Sequence, residues 1–328
     1  MKTIKIKYVD FWAGFNPEED DIFRTLTKHF NVVFSDNPDY IFYSCFGHEH
    51  LKYSDCIKIC FLGENLAPDF NLCDYAIAFE ELSFGDRYFQ QFASPDLLAS
   101  PELYSRSDRS ANKEHRPHFC SYVYSNGSAD PFREKLFEAI CNYKPVLCGG
   151  SLHHNIDIPH IAGNDFRTDR IAFEKDFKFS IACENSSHPG YCTEKIFVSL
   201  TAGTIPIYWG DPSVTKIYNK KAFINVFDYP NLDAVVNEIR KIDTTPELYE
   251  TMIREPIFAP EWSPANYSER FDNFLRHIFD QPKEVAFRRN RVLWGTRYDE
   301  TMNEWYNTWT EKQALPKRNF WSRFLNTK

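Results

Sequence analysis

The chain has 328 residues and a formal net charge of −8, with 43% apolar and 26% charged side chains. This length suits two domains of ordinary size, and the apolar content predicts packed cores and excludes global disorder. The acidic balance argues against a surface that binds nucleic acid, so no nucleic acid is expected among the partners.

The cysteines and the first residues indicate where the protein works. Nine cysteines are spread from Cys45 to Cys192, an odd number with no Cys-x-x-Cys pair. This pattern favours reduced, buried thiols over a disulfide framework or a zinc site. The opening MKTIKIKYVDF alternates as a strand does, and no run of 18 apolar residues occurs. We therefore expect a cytoplasmic protein without a signal peptide or a membrane span.

Strand-like and helix-like segments alternate through the first hundred residues. Residues 2–11 predict a strand, and residues 17–30, which open with Pro17 and several acids, predict a helix. Such alternation predicts a parallel sheet with crossover helices. Further short apolar runs, each bounded by turn residues, predict strands at 31–36, 40–45, 56–64 and 74–81.

A second alternating set follows a stretch at 94–117 that is rich in proline and serine and predicts a linker. Beyond residue 209 the pattern becomes increasingly helical as far as residue 280. The main predicted elements of this set are strands at 118–126, 177–185 and 204–209 and helices at 131–142 and 193–202.

Two similar halves predict an α/β fold with two Rossmann-like domains that face each other across a cleft. We place the N-terminal domain, with its linker, at 1–112 and the C-terminal domain at 113–282. The remainder, 283–328, is predicted to be a separate tail.

The tail differs from the rest of the chain in charge. It holds ten basic and five acidic side chains, which gives a net charge of +5. Its last residues, KRNFWSRFLNTK, mix basic with aromatic side chains, which suits an anionic membrane surface at about 1 kcal/mol per basic residue. Such contact would make the protein peripheral on the inner face of the cytoplasmic membrane. A terminal helix that packs back on the body is an equally good interpretation.

The stretch CENSSHPGYCTEKIFVSLTAGTIPIYWGD, residues 183–211, places a Glu-Lys pair where a helix begins. Thr193 is a good N-cap residue, so Glu194 and Lys195 fall in the first turn. The helix dipole disfavours Lys195 there unless an anion lies between the lysine and the helix. Backbone amides and Lys195 would hold a phosphate, and Glu194 could accept two ribose hydroxyls. If this turn stood alone, a solvated charge pair would be the simpler interpretation.

The longer stretch FKFSIACENSSHPGYCTEKIFVSLTAGTIPIYWGDPSV, residues 177–214, resembles the donor-site motif of glycosyltransferase family 10, the bacterial and animal α-1,3/1,4-fucosyltransferases. An apolar strand, Glu-Asn, Tyr-x-Thr-Glu-Lys, an apolar helix and a strand follow one another. ENLAPDFNLCDYAIAFEELSFGDRY, residues 64–88, is similar to the N-terminal half of the Helicobacter-type members. The resemblance covers most of residues 55–280 and implies a fold of the GT-B type. In that fold the N-terminal domain (1–112) would face the acceptor and the C-terminal domain (113–282) would bind GDP-fucose.

The resemblance also implies the roles of particular residues. Glu81 matches the carboxylate proposed as catalytic base in the N-terminal domain, and Glu80 beside it is the alternative. Glu184, in the Glu-Asn element, is a candidate whose role could be structural. Glu194 would bind the ribose and Lys195 the diphosphate of the donor. The donor-binding residues implied by the family are Arg133, Asn185, Tyr191, Glu194 and Lys195.

The implied activity is that of an α-1,3-fucosyltransferase. It would move L-fucose, with inversion, from GDP-β-L-fucose to a GlcNAc-type hydroxyl of N-acetyllactosamine-like acceptors, as in Lewis x/a-type glycans and lipopolysaccharide O-antigen. One base must remove the acceptor proton, and Lys195 and Arg133 would stabilise the departing GDP. The chain contains no Asp-x-Asp. We therefore expect no cofactor and no essential divalent metal.

Other functions fit the sequence less well. A non-catalytic nucleotide-sugar-binding module would bind GDP without turnover. A glycoside hydrolase with two carboxylates would not need a phosphate-binding lysine at a helix start. A Rossmann oxidoreductase is poorly supported because no Gly-x-Gly-x-x-Gly follows any strand. The acceptor linkage (α-1,3, α-1,4 or α-1,2) and the oligomeric state stay open.

Overall fold

A computed structural model describes residues 1–92, 116–161, 166–290 and 292–314. These residues divide into two compact units. Unit 1 consists of Met1–Ala78, Phe84–Phe89 and the chain from Leu275 onward, and unit 2 consists of Phe79–Ser83 and Gln90–Phe274.

The boundaries of the units differ from those expected from the sequence, which lie after residues 112 and 282. The chain from Leu275 onward belongs with the N-terminal sheet, and the short segment Phe79–Ser83 belongs with the second sheet. Apart from Arg116 and Pro117, the predicted linker at 94–117 lies outside the described residues.

Each unit is built on one sheet. The first sheet has the strand order β2-β1-β3-β4-β5-β6, and the second has the order β11-β10-β9-β7-β8. Neighbouring strands run parallel from β2 to β5 and throughout the second sheet. The strands are β1 (Thr3–Val9), β2 (Asn31–Phe34), β3 (Tyr40–Tyr43), β4 (Ile57–Phe61), β5 (Tyr75–Ala78), β6 (Tyr88–Gln90), β7 (His118–Tyr122), β8 (Leu147–Cys148), β9 (Phe177–Cys183), β10 (Ile205–Trp209) and β11 (Ile224–Asn225).

Helices connect β1 to β2 and the successive strands from β7 to β10, and further helices continue to the end of the described chain. Among the described residues, no helix combines the length and the apolar character that crossing a membrane requires. The helices are α1 (Asp21–Thr27), α2 (Pro131–Cys141), α3 (Phe166–Glu174), α4 (Glu194–Ala202), α5 (Leu232–Thr244), α6 (Pro246–Arg254), α7 (Pro264–Asp280), α8 (Lys283–Ala286) and α9 (Trp294–Ala314).

Local sequence explains why the elements begin where they do. The buried strands are continuous apolar runs, YIFY in β3 and IPIYW in β10, as expected for parallel strands covered on both faces. Pro131 opens α2 after Asp130, whose carboxylate accepts the N–H of Phe132. The helix predicted at 17–30 is shorter: Asp20 caps a new helix, so a 3-10 turn at Pro17–Glu19 precedes α1.

The two sheets share one feature of strand order that marks the usual ligand position of such sheets. In each sheet the first strand lies between the second and the third, so the connections leave in opposite directions on either side of it. In open parallel sheets, ligands bind outside the carboxyl ends of the strands at such a switch point. The switch point lies between β1 and β3 in unit 1 and between β7 and β9 in unit 2.

Most of the predicted tail packs within unit 1. Arg289 is buried (6% exposed), and its guanidinium donates to the backbone carbonyls of Ser54 and Cys56 at 3.0 and 2.8 Å. Tyr306 of α9 packs in a small apolar cluster of the same unit. The described part of the tail therefore belongs to unit 1 and is not separate from it. The last residues, to which the membrane and packed-helix interpretations apply, lie outside the described chain, so both stay predictions.

Candidate functional site

The switch point of unit 2 is formed by the loops that follow β7 and β9. The β7 loop leads into α2 and the β9 loop leads into α4. Six of the residues predicted from the sequence lie on these loops or on the helices that they enter: Arg133 after β7, and Glu184, Asn185, Tyr191, Glu194 and Lys195 after β9.

Glu184 connects the end of β9 to the start of α4. Its carboxylate is fully buried (0% exposed), and one oxygen accepts the backbone N–H of Thr193 at 2.8 Å. The other oxygen accepts from Thr193 Oγ1 at 2.7 Å and from Lys195 Nζ at 2.9 Å. Thr193 is the N-cap residue, as predicted, but its side chain makes no cap hydrogen bond; its hydroxyl donates to Glu184 and accepts from Lys195 Nζ. Glu184 thus ties the end of β9 to the first turn of α4.

Lys195 is not a solvated surface charge. Its side chain is only 12% exposed, and Nζ lies 2.8 Å from Thr193 Oγ1 and 3.8 Å from a Glu194 carboxylate oxygen. Burial opposes the positive charge, but the carboxylates of Glu184 and Glu194 outweigh it and raise the pKa of Lys195. The lysine is therefore cationic at neutral pH, in the first turn of α4.

The pKa values of the two carboxylates beside Lys195 are shifted in opposite directions. Burial raises the pKa of Glu184, although Lys195 counteracts part of that effect. Desolvation acts on Glu194 too, but the positive charges of Lys195 and Arg170 outweigh it and lower the pKa of Glu194. Because the Glu194 side chain is 38% exposed, it presents an ionised carboxylate to solvent.

Arg133 and Asn185 meet at the same switch point. Arg133 is 3% exposed; Nη1 donates to Asn185 Oδ1 at 3.1 Å, and Nη2 donates to the backbone carbonyl of Asn126. The guanidinium also lies 4.5 Å from the ring centre of Tyr124. Arg133, in the first turn of α2, thus contacts Asn185, on the loop after β9.

Within the described ranges, no three His, Cys, Asp or Glu side chains are grouped as a metal ion would require.

The loop between β9 and α4 packs on the segment Phe79–Ser83. Gly190 has φ +88°, and a Cβ there would lie 2.3 Å from the carbonyl oxygen of Phe79, so only glycine fits. The Tyr191 ring meets the Phe79 ring edge to face at 5.2 Å and is 1% exposed. Tyr191 therefore packs within the unit and holds the loop in place.

The two predicted base candidates lie in this contacting segment. Glu80 Oε2 is 2.9 Å from His188 Nε2, and Glu81 Oε1 is 2.6 Å from Lys216 Nζ. Hydrogen bonds from Lys216 and Ser213 lower the pKa of Glu81. The sequence-based boundary at residue 112 groups both carboxylates with the N-terminal sheet, whereas their contacts group them with the loop that precedes Lys195.

Asp211 is a buried residue that the sequence-based site lacks. It lies two residues after the end of β10 and is 0% exposed. Oδ1 accepts the backbone N–H of Gly190 at 2.9 Å and the Ser213 hydroxyl at 2.8 Å, and Oδ2 has no hydrogen-bond partner among the described residues. An aspartate close to the end of an apolar strand was the available signal, because carboxyl ends of parallel strands line ligand sites.

Arg170 is a second residue missing from the sequence-based site. It lies on α3, is 3% exposed and donates from Nε to Glu174 at 2.8 Å; Glu174 in turn accepts the Ser199 hydroxyl of α4 at 2.9 Å. Arg170 and Glu174 are four residues apart on one helix, a spacing typical of exposed ion pairs. Only the packing of α3 on α4 buries this pair, so the sequence offered no signal for it.

Two family models match the chain. Residues 6–93 match the N-terminal domain of alpha-(1,3)-fucosyltransferase FucT, and residues 113–254 match the C-terminal part of glycosyltransferase family 10 (fucosyltransferase). The chain belongs to glycosyltransferase family 10. The candidate donor residues of this family 10 chain lie in the second matched range, and Glu80 and Glu81 lie in the first.

Similarity to an individual member of the family supports this assignment. The chain is 30% identical to the alpha-(1,3)-fucosyltransferase FucT of Helicobacter pylori over an alignment of 293 positions, which covers 77% of this chain and 60% of that protein. The chain therefore spans less than two thirds of that relative's length.

Solved structures of the family agree on the fold. An α1,3-fucosyltransferase crystal structure, 25% identical, superposes with a TM-score of 0.70 over 89% of this chain and 93% of that one. An α1,3-fucosyltransferase with GDP, also 25% identical, gives a TM-score of 0.67 over 88% and 93%. The fold is therefore α/β of the GT-B type with two Rossmann-like units, as the sequence predicted.

The cation in the first turn of α4 generates a prediction about nucleotide binding. Lys195→Met is expected to weaken GDP binding about ten- to hundredfold, since it removes a charge-assisted contact of about 1.5–3 kcal/mol with a diphosphate. Titration calorimetry with GDP measures the change, and thermal denaturation checks that the variant folds.

A double variant is the control for this measurement. Lys195→Met leaves the buried Glu184 carboxylate without its cation, which could by itself distort the start of α4. Glu184→Gln combined with Lys195→Met removes both charges. GDP affinity that stays low in the double variant supports a contact between Lys195 and the diphosphate; recovery to the parent affinity would assign the lysine to Glu184 alone.

Proposed function

We propose that this protein is an inverting α-1,3-fucosyltransferase that moves L-fucose from GDP-β-L-fucose to a hydroxyl of an N-acetyllactosamine-like acceptor. The observation that carries the proposal is the pair of cations, Lys195 and Arg133, in the first turns of the two helices that follow the strands of one switch point. Membership of family 10 supports the sugar, and the related α1,3-fucosyltransferase with GDP supports the nucleotide.

The donor-binding roles follow from charge and exposure. Lys195 and the amides of the first turn of α4 bind the diphosphate. Arg133 adds a second positive charge, and Asn185, whose amide oxygen accepts from Arg133, has its amide N–H groups for the donor. The exposed, ionised carboxylate of Glu194 accepts the ribose hydroxyls. Tyr191 shapes the donor loop through its packing.

The chemical step needs one base and a stabilised leaving group. The base removes the proton of the acceptor hydroxyl while that oxygen attacks C1 of fucose from the face opposite GDP. The bond between C1 and the phosphate oxygen breaks, and its electron pair leaves with GDP. Lys195 and Arg133 stabilise the charge that develops on the diphosphate. Attack on the opposite face converts the β-linked donor into an α-linked product.

Glu81 is the proposed base, and Glu80 is the alternative. A glutamate is deprotonated at neutral pH, the state in which it can accept a proton. The ion pair with Lys216 fixes the position of the Glu81 carboxylate and lowers its pKa. Glu80 Oε2 lies 2.9 Å from His188 Nε2, and this contact constrains the position of the Glu80 carboxylate.

The proposed acceptors are GlcNAc-containing chains of the Lewis x/a type, including lipopolysaccharide O-antigen. Assembly of such chains at the inner face of the cytoplasmic membrane suits a cytoplasmic enzyme whose basic, aromatic residues 315–328 bind anionic lipid. No cofactor and no essential metal are part of the proposal, because Lys195 and Arg133 supply the charge that a divalent ion would otherwise provide.

Exchange of the proposed base tests catalysis against mere binding. Glu81→Gln is expected to leave GDP affinity unchanged and to lower kcat by at least about 10², the lower limit for a positioned base. Glu80→Gln, measured alongside, is expected to retain activity. Parent-like turnover of Glu81→Gln together with an inactive Glu80→Gln would move the role to Glu80. If the parent protein transfers fucose to no acceptor, the protein is a nucleotide-sugar-binding module and not an enzyme.

The contact between Glu81 and Lys216 provides a pH test of the same assignment. Lys216→Met removes the main cause of the lowered pKa, so the pKa of Glu81 rises. Because a base works only when deprotonated, the acidic limb of the pH profile of kcat/KM moves to higher pH. The matched control is Lys221→Met, which replaces an exposed lysine five residues further along the chain. An unmoved acidic limb in Lys216→Met would contradict Glu81 as base.

Removal of divalent metal tests the role of the two cations. Activity is expected to persist in excess chelator, because Lys195 and Arg133 stabilise the departing diphosphate without an ion. Initial rates of GDP release, measured with and without chelator, provide the comparison. Complete loss of activity that manganese restores would show that a metal is essential.

Deletion of 315–328 tests membrane contact. The shortened protein, which keeps the whole of α9, is expected to bind anionic vesicles more weakly and to retain its activity on soluble acceptors. Co-sedimentation with vesicles containing phosphatidylglycerol measures binding, with neutral phosphatidylcholine vesicles as the control. Equal sedimentation of the full and shortened chains would contradict a membrane role for these residues.

A further inference from the structure

The segment that follows β10, residues 210–216, contacts several parts of the candidate site. It begins at Gly210, where a Cβ would lie 2.3 Å from Cγ of Glu184, so glycine permits the buried side chain to pack on this backbone. It ends in the short 3-10 turn Val214–Lys216. Residues 210–216, here called the β10 segment, therefore support the carboxylate that holds Lys195 and continue to the other side of the same loop.

Asp211 fixes the loop between β9 and α4 to the β10 segment. Its carboxylate is fully buried, and Oδ1 accepts the backbone N–H of Gly190 at 2.9 Å. A buried backbone N–H requires an acceptor, and a carboxylate is a strong one. Loss of Asp211 would leave this N–H without that acceptor, so the position of Gly190 and of Tyr191, which follows it, depends on the aspartate.

The same carboxylate oxygen holds Ser213. Asp211 Oδ1 accepts the Ser213 backbone N–H at 2.7 Å and the Ser213 hydroxyl at 2.8 Å. After Lys216, the Ser213 hydroxyl is the second group whose hydrogen bond lowers the pKa of Glu81. A hydroxyl has one hydrogen, so it donates to one of the two carboxylates at a time. The backbone N–H keeps Ser213 on Asp211 when the hydroxyl turns to Glu81.

Glu81 needs this second restraint because its ion pair is exposed. The side chains of Lys216 and Glu81 are 66% and 36% exposed, and an exposed ion pair restrains its members only weakly. Ser213, in contrast, is fixed by a buried group, and the turn behind it is anchored by Val214, which is 0% exposed.

The β9–α4 loop and Glu81 also lie against each other. A Cβ at Gly190 would lie 3.3 Å from Cγ of Glu81, so the loop backbone passes directly beside this side chain. Asp211 therefore holds both sides of one contact, the loop through Gly190 and the Glu81 carboxylate through Ser213.

We propose that Asp211 and Ser213 are positioning residues that fix the base, Glu81, against the β9–α4 loop of the donor site. The inference rests on the proposed fucosyltransferase function, with Glu81 as its base, and adds the residues on which the place of that base depends. Asp211 acts through Gly190 and Ser213, and Ser213 acts on the Glu81 carboxylate. Neither residue accepts the proton of the acceptor hydroxyl.

Steady-state kinetics of Ser213→Ala, with GDP-fucose and N-acetyllactosamine, test the contact with the base. The variant is expected to lower kcat about tenfold and to leave the affinity for GDP unchanged. Because the lost hydrogen bond favours the ionised carboxylate, the pKa of Glu81 rises and the acidic limb of kcat/KM moves to higher pH.

A double variant shows whether Ser213 acts through Glu81. Ser213→Ala is expected to cost little or nothing further in a protein that already carries Glu81→Gln, because the group it positions is gone. An equal loss of kcat from Ser213→Ala with and without Glu81→Gln would overturn the inference.

Substitution of Asp211 tests both of its bonds. Asp211→Ala is expected to lower kcat at least as much as Ser213→Ala and also to weaken GDP binding about threefold or more, since the loop loses its anchor. Asp211→Asn keeps an acceptor at Oδ1 and places its amide where Oδ2 has no partner among the described residues, so it is expected to retain most of the activity.

Thr215→Ala is the matched control, because Thr215 is an exposed residue of the same turn. Its kcat, pH profile and GDP affinity are expected to equal those of the parent. Thermal denaturation identifies variants that fail to fold, and Ser213→Ala keeps the test valid if Asp211→Ala is one of them.

Failure of the inference and failure of the proposed function give different results. Parent-like kcat and an unmoved acidic limb in Ser213→Ala, while Glu81→Gln is inactive, overturn the positioning role and leave the transferase intact. If the parent transfers fucose to no acceptor, the proposed function fails. Titration calorimetry with GDP needs no turnover and then still tests Asp211: weaker binding to Asp211→Ala supports its hold on the loop, and unchanged binding overturns it.

Discussion

One buried carboxylate, that of Glu184, organises the end of unit 2 where the donor is proposed to bind. An ionised carboxylate without water is costly unless charge and hydrogen bonds compensate it. Here the N–H and the hydroxyl of Thr193 and the ammonium of Lys195 supply that compensation. Lys195, which the helix dipole disfavours in the first turn of α4, is therefore held there because the buried Glu184 carboxylate needs a cation. The same need places a positive charge where the diphosphate is proposed to bind.

Two further buried groups act on the surroundings of this carboxylate. The positive charge of Arg170 helps to keep Glu194 ionised, and Asp211 holds the backbone of Gly190 in the loop before α4. Arg170 donates to Glu174 on its own helix, and Asp211 also accepts the Ser213 hydroxyl. Groups held in this way need little reorganisation when charge develops during a reaction, which is the physical basis of electrostatic catalysis.

The two units have equivalent strand orders but carry different chemistry at their switch points. At the switch point of unit 2 lie two cations, Lys195 and Arg133, and the amide of Asn185. In unit 1 the corresponding loops carry two exposed aromatic rings, Trp12 and Phe46. The two positions therefore differ in their side chains and not in their strand order.

The sequence by itself determined what depends on neighbouring residues. Apolar runs located all the described strands except the short strands β6, β8 and β11, and the spacing in YCTEKIF placed Lys195 in a first helical turn. Only the tertiary structure decided contacts between distant residues: Lys195 with Glu184, 11 positions away, and Glu81 with Lys216, 135 positions away. Helical and strand patterns arise from local geometry and can be counted along the chain. Burial and ion pairing depend on which elements pack together, and no local pattern specifies that.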